Sequence, residues 1–114
     1  MIPRLDHREP VSETVQHYVR ELHALGFEGE IHCDDATRTV LSTDNSIYQV
    51  YPQVVVFPKD HEDLCSIVRA AHDHEVTLYP RGGGTGTNAQ SLGAGVVVDT
   101  SKHMNRILEI NVEE

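Results

Sequence analysis

The feature that most constrains the fold is the short apolar run QVVVFP at residues 53–58. It is rich in β-branched residues and shows no alternation of polar and apolar positions. Such a run is typical of a strand that is buried on both faces, as strands of parallel sheets are. The segments VTLYP at residues 76–80, GVVVDT at residues 95–100 and RILEIN at residues 106–111 predict three further strands.

A helix is predicted between the first two strands, at residues 59–75. Asp60 is suited to the N-cap, and acidic residues in the first turn favour the helix dipole. The apolar stripe of this helix comprises Leu64, Ile67, Val68 and Ala71. Strand, helix and strand with short connections form a βαβ unit, in which the strands are parallel and the crossover is right-handed.

Two more helices are predicted upstream of this unit. Residues 11–26 have apolar positions at helical spacing, with Ser12 as the N-cap and Gly26 after the last turn. The stripe comprises Val11, Val15, Tyr18, Val19, Leu22 and Leu25. A short helix at residues 36–41 follows a pair of aspartates, either of which can cap it. We therefore predict an α+β fold of α/β-like layout, with a small, mainly parallel βαβ sheet flanked by helices.

The charge and the cysteines exclude several function classes. A formal net charge of −9 argues against binding to nucleic acid or to an anionic membrane, because both need clustered basic residues. The N-terminus has no apolar signal-peptide core, and no apolar run is long enough to span a bilayer. Cys33 and Cys65 fit no metal-binding pattern and are expected to be free thiols. These observations predict a cytoplasmic protein.

Six of the eight glycines lie between Gly82 and Gly95, directly after the second predicted strand. Because glycine has no Cβ, such a loop lets backbone N–H groups approach an anion such as a phosphate. In α/β layouts, ligands bind beyond the carboxyl ends of the strands, which is where this loop begins. The alternative is a glycine turn without a ligand. The side-chain donors near the loop are Arg81, Thr85, Thr87, Asn88 and Ser91.

The spacing excludes two common phosphate-binding motifs. A P-loop has a lysine directly after its last glycine, and the first lysine after this loop is Lys102. Residues 84–89, GTGTNA, match the dinucleotide-binding pattern G-x-G-x-x-A, but only three residues separate them from Gly93. That motif needs a following helix whose N-terminus faces the pyrophosphate, and no helix fits there. The loop backbone alone would therefore hold the phosphate.

Residues 52–110 resemble the FAD-binding domain of the vanillyl-alcohol oxidase type, also called the PCMH-type domain. The shared pattern is a strand ending in proline, a helix, a strand leading into PRGGGT, and a strand ending in aspartate with a Met-Asn pair beyond it. The upstream TDNSIY at residues 43–48 resembles the family's T-D-A-S-x-Y segment. The resemblance implies that residues 35–114 are an incomplete N-terminal subdomain of such a domain, preceded by an arm and helix at residues 1–34.

The resemblance also implies FAD as the cofactor, bound without a covalent link. Some relatives attach the flavin through a histidine at the position of Thr85, and threonine cannot form that bond. Main-chain N–H groups would wrap the pyrophosphate, while the residues before the first glycine would set the entry of the loop. The implied cofactor-binding residues are Pro80, Arg81, Gly82, Gly83, Gly84, Thr85, Gly86, Thr87 and Ser91.

Within this family, the chain is similar to large bacterial D-2-hydroxyacid dehydrogenases that have an FAD domain and a C-terminal iron–sulfur domain. The resemblance implies the N-terminal part of a flavin-dependent oxidoreductase acting on D-2-hydroxyglutarate or D-lactate. The small-molecule substrate, any iron–sulfur cluster and all catalytic residues would belong to parts outside this chain, which we expect to be inactive alone. Two alternatives are a stand-alone, non-catalytic nucleotide- or anion-binding module, and a structural piece that self-associates through unpaired strand edges.

One cluster of histidines and a cysteine could suggest a metal site on the helix predicted at residues 59–75. His61, His72 and His74 lie near Cys65 in the sequence. Because apolar residues alternate with them, we expect Cys65 to flank the core and the histidines to lie at its rim. Neither a metal site nor a cysteine nucleophile is predicted.

Three other residues near the motifs receive structural interpretations. Asp99 closes the third strand and is expected to cap the following turn at Ser101, the alternative being that it orients Arg81. Tyr48 and Tyr51 are expected to fill the core, and contact with the flavin is the alternative.

Overall fold

A computed structural model describes residues 11–43, 46, 48–85, 92–107, 110 and 112 of the chain. These residues form three helices and one sheet of four strands. The helices are α1 (Glu13–Ala24), α2 (Asp35–Val40) and α3 (His61–His74). The strands are β1 (Glu30–His32), β2 (Val54–Phe57), β3 (Leu78–Arg81) and β4 (Val96–Asp99).

The sheet has the strand order β1-β2-β4-β3. β4 is parallel to both β2 and β3, whereas β1 is antiparallel to β2. The predicted class, a small and mainly parallel sheet flanked by helices, is therefore confirmed. β2, α3 and β3 form the predicted parallel unit, but β2 and β3 do not pair directly, because β4 lies between them.

The strand predicted at residues 106–111 is wrong at its described positions. Arg106, Ile107 and Ile110 belong to no strand, and the two isoleucines are 80% and 77% exposed. The other residues of that segment lie outside the described part of the chain. The fourth strand is instead β1, which is only three residues long and therefore too short to show a periodic pattern. Apolar residues form a strand only where a neighbouring edge can pair with them, so local composition did not decide between the two segments.

The main core lies between the sheet and a layer formed by α1 and α3. The hydroxyl of Tyr18 on α1 donates a hydrogen bond to the carbonyl of Ile67 on α3, over 3.1 Å. Burial raises the pKa of this phenol far above its ordinary value. The buried residues of this cluster are Val15, Tyr18, Leu22, Val54, Val56, Ile67, Ala70, Ala71, Val96 and Val98. One core thus holds the first helix on the sheet.

Both predicted helical stripes include one residue that the structure places in solvent. Leu25 is 39% exposed because it lies just after the last residue of α1, and Val68 is 59% exposed on the outer side of α3. Ala70 takes the buried position that was assigned to Val68. On the opposite face of the sheet, a smaller cluster comprises Val55, Phe57 and Val97, with Leu41 and Tyr79 packed against it.

The predicted helix ends are confirmed. The side chain of Ser12 accepts a hydrogen bond from the backbone of Val15, and Asp34 and Asp60 cap α2 and α3 in the same way. Gly26 follows α1 with a φ of 82°, which is the left-handed conformation expected at that position. None of the described helices is both long and apolar enough to cross a lipid bilayer.

Asp63 is a buried carboxylate that ties three segments together at the start of α3. It is only 3% exposed. One oxygen accepts a hydrogen bond from the amide of Glu28, over 3.0 Å, and the other from the amide of Lys59, over 2.9 Å. Asp63 therefore joins the α1–β1 connection to the β2–α3 connection. The sequence indicated only an acidic residue in the first turn of a helix.

Candidate functional site: the glycine loop at the carboxyl edge of the sheet

The three parallel strands end at one edge of the sheet, and the glycine loop leaves from that edge. Phe57, Arg81 and Asp99 are the last residues of β2, β3 and β4. Arg81 is aligned with Asp99 in the pairing of the last two strands. Gly82 follows directly, as predicted, beyond the carboxyl end of a strand in a parallel sheet. This is the location at which ligands bind in such sheets.

Arg81 fixes the entry of the loop through both its backbone and its side chain. Its carbonyl accepts hydrogen bonds from the backbone N–H of Thr100, over 3.0 Å, and from the Thr100 hydroxyl, over 3.3 Å. Its guanidinium donates to the carbonyl of Leu41, at the C-terminal end of α2, over 3.4 Å. The side chain therefore extends from β3 towards a different element, and it supplies a positive charge at the base of the loop.

Gly84 lies against this guanidinium and has a left-handed backbone. Its φ is +72°, and a Cβ at this position would lie 2.6 Å from Nη2 of Arg81. The left-handed conformation explains why this residue is glycine, and the guanidinium lies in the space that a side chain would take. The absence of a side chain at Gly84 therefore leaves room for the Arg81 guanidinium beside the loop backbone.

Neither the backbone conformation nor the packing of the described residues requires glycine at Gly82 or Gly83. Neither has a positive φ. A Cβ on Gly82 would meet no atom within 4 Å, and a Cβ on Gly83 would only make an ordinary contact of 3.8 Å with Thr85. Both are exposed. An approaching ligand would fill the space that a side chain would otherwise occupy, which is the geometry that a backbone phosphate cradle needs.

The amide groups of residues 82–85 have no hydrogen-bond acceptor among the described residues. Thr85 is exposed as well. Successive N–H groups that no described residue accepts from, next to a guanidinium, form a setting that favours an anion over a cation.

Two glycines that follow the loop have packing roles. A Cβ on Gly93 would lie 2.1 Å from ring atoms of Tyr79, so the tyrosine ring occupies the space of a side chain. A Cβ on Gly95 would lie 2.7 Å from the carbonyl oxygen of Thr77. The glycine-rich segment therefore combines an exposed part after β3 with a tightly packed part before β4.

The structure brings together the first six of the predicted cofactor-binding residues at the carboxyl edge. They are Pro80, Arg81, Gly82, Gly83, Gly84 and Thr85. The predictions for Gly86, Thr87 and Ser91 fall outside the described residues, as does the donor Asn88. Residues 44, 45 and 47 of the upstream TDNSIY segment lie outside them too.

Asp99 has the capping role that was favoured from the sequence. Its Oδ1 accepts hydrogen bonds from the backbone N–H of Ser101, over 2.8 Å, and from the Ser101 hydroxyl, over 2.7 Å. The core position expected for Tyr48 is wrong, because this side chain is 56% exposed. Tyr51 is half-buried and packs against α2, with the guanidinium of Arg38 4.5 Å from the centre of its ring.

A charged cluster at the same edge was not found from the sequence. Glu30 begins β1, opposite Phe57 of β2. One of its oxygens accepts hydrogen bonds from Lys102, over 2.8 Å, and from His32, over 3.1 Å, while the other contacts His103 at 2.5 Å. The hydrogen bonds from Lys102, His32 and His103 lower the pKa of the Glu30 carboxyl to about 2. More than 70 residues separate Glu30 from Lys102, and no local pattern connects them.

The histidine-rich helix α3 carries no metal-binding arrangement in the described part of the chain. No group of three or more His, Cys, Asp or Glu side chains there could hold a metal ion. Cys65 is exposed and does not flank the core as expected; its sulfur lies 3.6 Å from Nε2 of His61. His74 is paired with Glu21 of α1 instead. Cys33 and Cys65 are both free thiols, as predicted.

The fold and the loop define a mainly parallel sheet with a loop suited to an anion at its carboxyl edge, and the comparisons with known proteins identify the family. A family profile described as "FAD binding domain" matches residues 52–114. This is more than half of the chain, which therefore belongs to the FAD-binding domain family.

Relatives of known name match over the whole length of the chain. A D-2-hydroxyglutarate dehydrogenase of Pseudomonas putida is 52% identical over 117 aligned positions, which cover 100% of this chain and 12% of that protein. One from Escherichia coli is 48% identical with the same two shares covered. The chain thus spans about an eighth of the length of these relatives.

A solved structure from the same fold family supports the architecture. An alkyldihydroxyacetonephosphate synthase superposes with a TM-score of 0.76 at 22% identity, covering 98% of this chain and 24% of that chain. At this level of identity the match shows the shared fold, and the PCMH-type fold implied by the motifs is confirmed.

Proposed function

We propose that this chain supplies the pyrophosphate-binding loop of an FAD-dependent oxidoreductase that oxidises a D-2-hydroxy acid. The observation that carries the proposal is the pair Gly82 and Gly83, which are exposed beyond the end of β3 and are not required to be glycine by internal packing. The N–H groups of residues 82–85, which bond to no described residue, would supply donors for a diphosphate, and the guanidinium of Arg81 would supply positive charge. The residues present therefore suit the FAD pyrophosphate. Thr87 and Ser91 would extend the contact.

The substrate class rests on the names of the relatives. D-2-hydroxyglutarate dehydrogenases match the entire chain, so D-2-hydroxyglutarate is the proposed substrate and D-lactate the nearest alternative of the same class. The bound flavin would supply the chemistry of oxidation by accepting a hydride, whereas residues of this chain bind and orient the cofactor. The catalytic groups, the substrate pocket and any iron–sulfur cluster would lie in other parts of the protein, and the chain alone would be inactive.

Non-covalent attachment and a cytoplasmic location complete the proposal. Thr85 is exposed at the end of this stretch of amides, where a hydroxyl can donate a hydrogen bond to a phosphate oxygen. Threonine cannot provide the imidazole linkage to a flavin ring that a histidine can. Acid or detergent denaturation of the complete gene product should therefore release all of the FAD into the supernatant.

The glycine pair gives a direct test of the proposed loop. Gly82→Ala combined with Gly83→Ala should weaken FAD binding about tenfold or more, since two methyl groups would stand where the phosphate approaches. Thermal stability should not fall, because neither Cβ meets a close neighbour among the described residues. FAD affinity is measured by flavin fluorescence on the complete gene product, and stability by thermal unfolding of the same samples.

Gly93→Ala provides the matched control for the loop test. This change places a methyl group where the ring of Tyr79 lies and should destabilise the fold by about 1–3 kcal/mol. FAD binding should decrease only by the fraction of the protein that is unfolded. Unchanged FAD affinity in the double variant at residues 82 and 83 would exclude the proposed phosphate loop.

A second experiment separates the oxidoreductase from a stand-alone nucleotide- or anion-binding module. The complete gene product should reduce an artificial electron acceptor with D-2-hydroxyglutarate and contain FAD. FAD without activity towards any 2-hydroxy acid would exclude the substrate class. Tight binding of FAD by the 114-residue chain alone would favour the module instead, because most of the flavin pocket is proposed to lie elsewhere. Light scattering on the same chain tests self-association through the outer strands β1 and β3.

A further inference from the structure

We propose that Glu30 is a positioning residue for the glycine loop: its carboxylate holds the turn at residues 100–103, and this turn holds the carbonyl of Arg81 where the loop begins. The proposal rests on the function proposed above, in which that loop binds the FAD pyrophosphate. Glu30 itself would touch neither cofactor nor substrate.

The carboxylate of Glu30 uses both oxygens to contact the turn. Oε1 accepts a hydrogen bond from Nζ of Lys102, over 2.8 Å, and Oε2 contacts Nε2 of His103 at 2.5 Å. Nζ of Lys102 also lies 5.0 Å from the centre of the Phe57 ring. Two consecutive side chains of the turn are thus bound to the outer strand β1, across the end of β2. Hydrogen bonds to an ionised carboxylate are among the stronger polar contacts in proteins.

His32 orients the carboxylate from within β1. Its Nε2 lies 3.1 Å from Oε1 of Glu30, and its Nδ1 lies 3.1 Å from Oδ1 of Asp34. The imidazole is packed edge-on against the ring of Phe57. Glu30 is therefore held in place from its own strand while it binds the turn.

The other side of the turn is connected to the loop. The backbone N–H and the hydroxyl of Thr100 both donate to the carbonyl of Arg81, the last residue before Gly82. Ser101 is fixed by Asp99, and the N–H of Met104 donates to the carbonyl of Thr100, over 3.1 Å. A displacement of the turn would therefore move the residue that sets the loop's entry.

The charge of Glu30 and its positioning role predict opposite changes in FAD affinity when the residue is neutralised. A carboxylate near an anion site repels the anion, so neutralising Glu30 would strengthen FAD binding if its charge were all that mattered. If Glu30 positions the turn, the neutral variant binds FAD more weakly. The direction of the change therefore distinguishes the two roles.

The test compares Glu30→Gln with Glu28→Gln in the complete gene product. Glu28 lies two residues away and is exposed, and its carboxylate forms no hydrogen bond or ion pair with other described residues. Amide hydrogen exchange at Thr100 and the dissociation constant of FAD are the two measurements. We expect Glu30→Gln to accelerate exchange at Thr100 about fivefold and to weaken FAD binding by a similar factor. Glu28→Gln should change neither the exchange at Thr100 nor the dissociation constant of FAD. Exchange at the amide of Leu22, in the core of α1, should be the same in all variants.

His103→Ala removes the contact from the turn and keeps the proposal testable if the first variant does not fold. It should shift exchange at Thr100 and FAD affinity in the same direction, by a smaller factor. Tighter FAD binding in Glu30→Gln, or unchanged exchange at Thr100 in both variants, would overturn the positioning role. Absence of FAD from the wild-type protein would instead contradict the proposed function, while the exchange data would still decide whether Glu30 holds the turn.

Discussion

Single carboxylates join distant segments of this chain, and Asp63 is the most buried example. Each of its oxygens accepts a hydrogen bond from a backbone N–H, one in the α1–β1 connection and one in the β2–α3 connection. A carboxylate can accept both bonds at once, whereas an amide side chain presents one oxygen and one NH₂ group. The identity of this residue is therefore fixed by two donors that are far apart in the sequence.

Asp63→Asn should destabilise the fold by about 1–3 kcal/mol, because one of the two N–H groups bonded to this buried side chain would lose its acceptor. Asp60→Asn is the matched control at the same helix start. Asparagine caps helices about as well as aspartate, so this variant should lie within about 0.5 kcal/mol of the wild type. Urea denaturation of both variants gives the comparison. Equal stabilities for the two variants would show that the bonds of Asp63 contribute nothing specific.

At the scale of elements, the end of α3 contains a residue in an unfavourable conformation. Glu75 follows the last helical residue with φ 54° and ψ 42°, the left-handed region that glycine adopts without strain. The backbone N–H of Glu75 donates hydrogen bonds to the carbonyls of Ala71 and His72 at the end of the helix. The helix therefore has the geometry of a glycine-type end without the glycine that usually supplies it.

Glu75→Gly should raise the free energy of unfolding by about 0.5–1 kcal/mol, since the backbone strain is relieved. Asp73→Gly, inside the last turn of the same helix, should lower it by about 1 kcal/mol, because glycine is a poor residue in a helix interior. Thermal unfolding of both variants measures the contrast. A loss of stability in Glu75→Gly would mean that the side chain contributes more than the strain costs.

The elements that could be predicted from the sequence are those with local signals. The caps at Ser12 and Asp60 and the three runs of β-branched residues located α1, α3, β2, β3 and β4. β1 could not be predicted, because three residues carry no period and its pairing with β2 depends on contacts distant in sequence. For the same reason, the insertion of β4 between β2 and β3 was not apparent from their order along the chain.

The site was predictable where a motif marks it and not where long-range contacts build it. The run from Pro80 to Thr85 was identified from glycine spacing and from its position after a strand. The contacts of Arg81 with Leu41 and Thr100 were not, since they join segments far apart in the sequence. The role of Glu30 could not be predicted, because nothing in the local sequence distinguishes it from the other acidic residues of the surface.

At the scale of the whole molecule, two acidic groups make stability depend on pH. Hydrogen bonds to Lys102 and the two histidines lower the pKa of Glu30 from 4.5 to about 2. Hydrogen bonds from Thr37 lower the pKa of Asp34 from 3.8 to about 2. Because these pKa values are lower in the folded state, the unfolded chain binds more protons in this range. The stabilisation is therefore complete above about pH 4.5 and is lost as the pH falls to about 2.

The stability difference between wild type and Glu30→Gln should follow that window. It should be constant from pH 7 to pH 5, shrink below pH 4.5 and disappear near pH 2, because the wild-type carboxyl is then protonated as well. Thermal unfolding at a series of pH values provides the measurement, with Glu28→Gln as the control. A difference that persists unchanged at pH 2 would show that the charge of Glu30 is not its source.

The central position of β4 has a consequence for the order in which the molecule can be assembled. β4 is the last strand of the sheet to be synthesised, yet it supplies the only hydrogen-bonded connection between β2 and β3 in the described part of the chain. A nascent chain that has not yet released Asp99 from the ribosome must therefore keep the facing edges of β2 and β3 unpaired. The base of the glycine loop, held through Thr100, can form only after that point. Protease resistance of ribosome-bound chains of increasing length should accordingly appear in one late step rather than strand by strand.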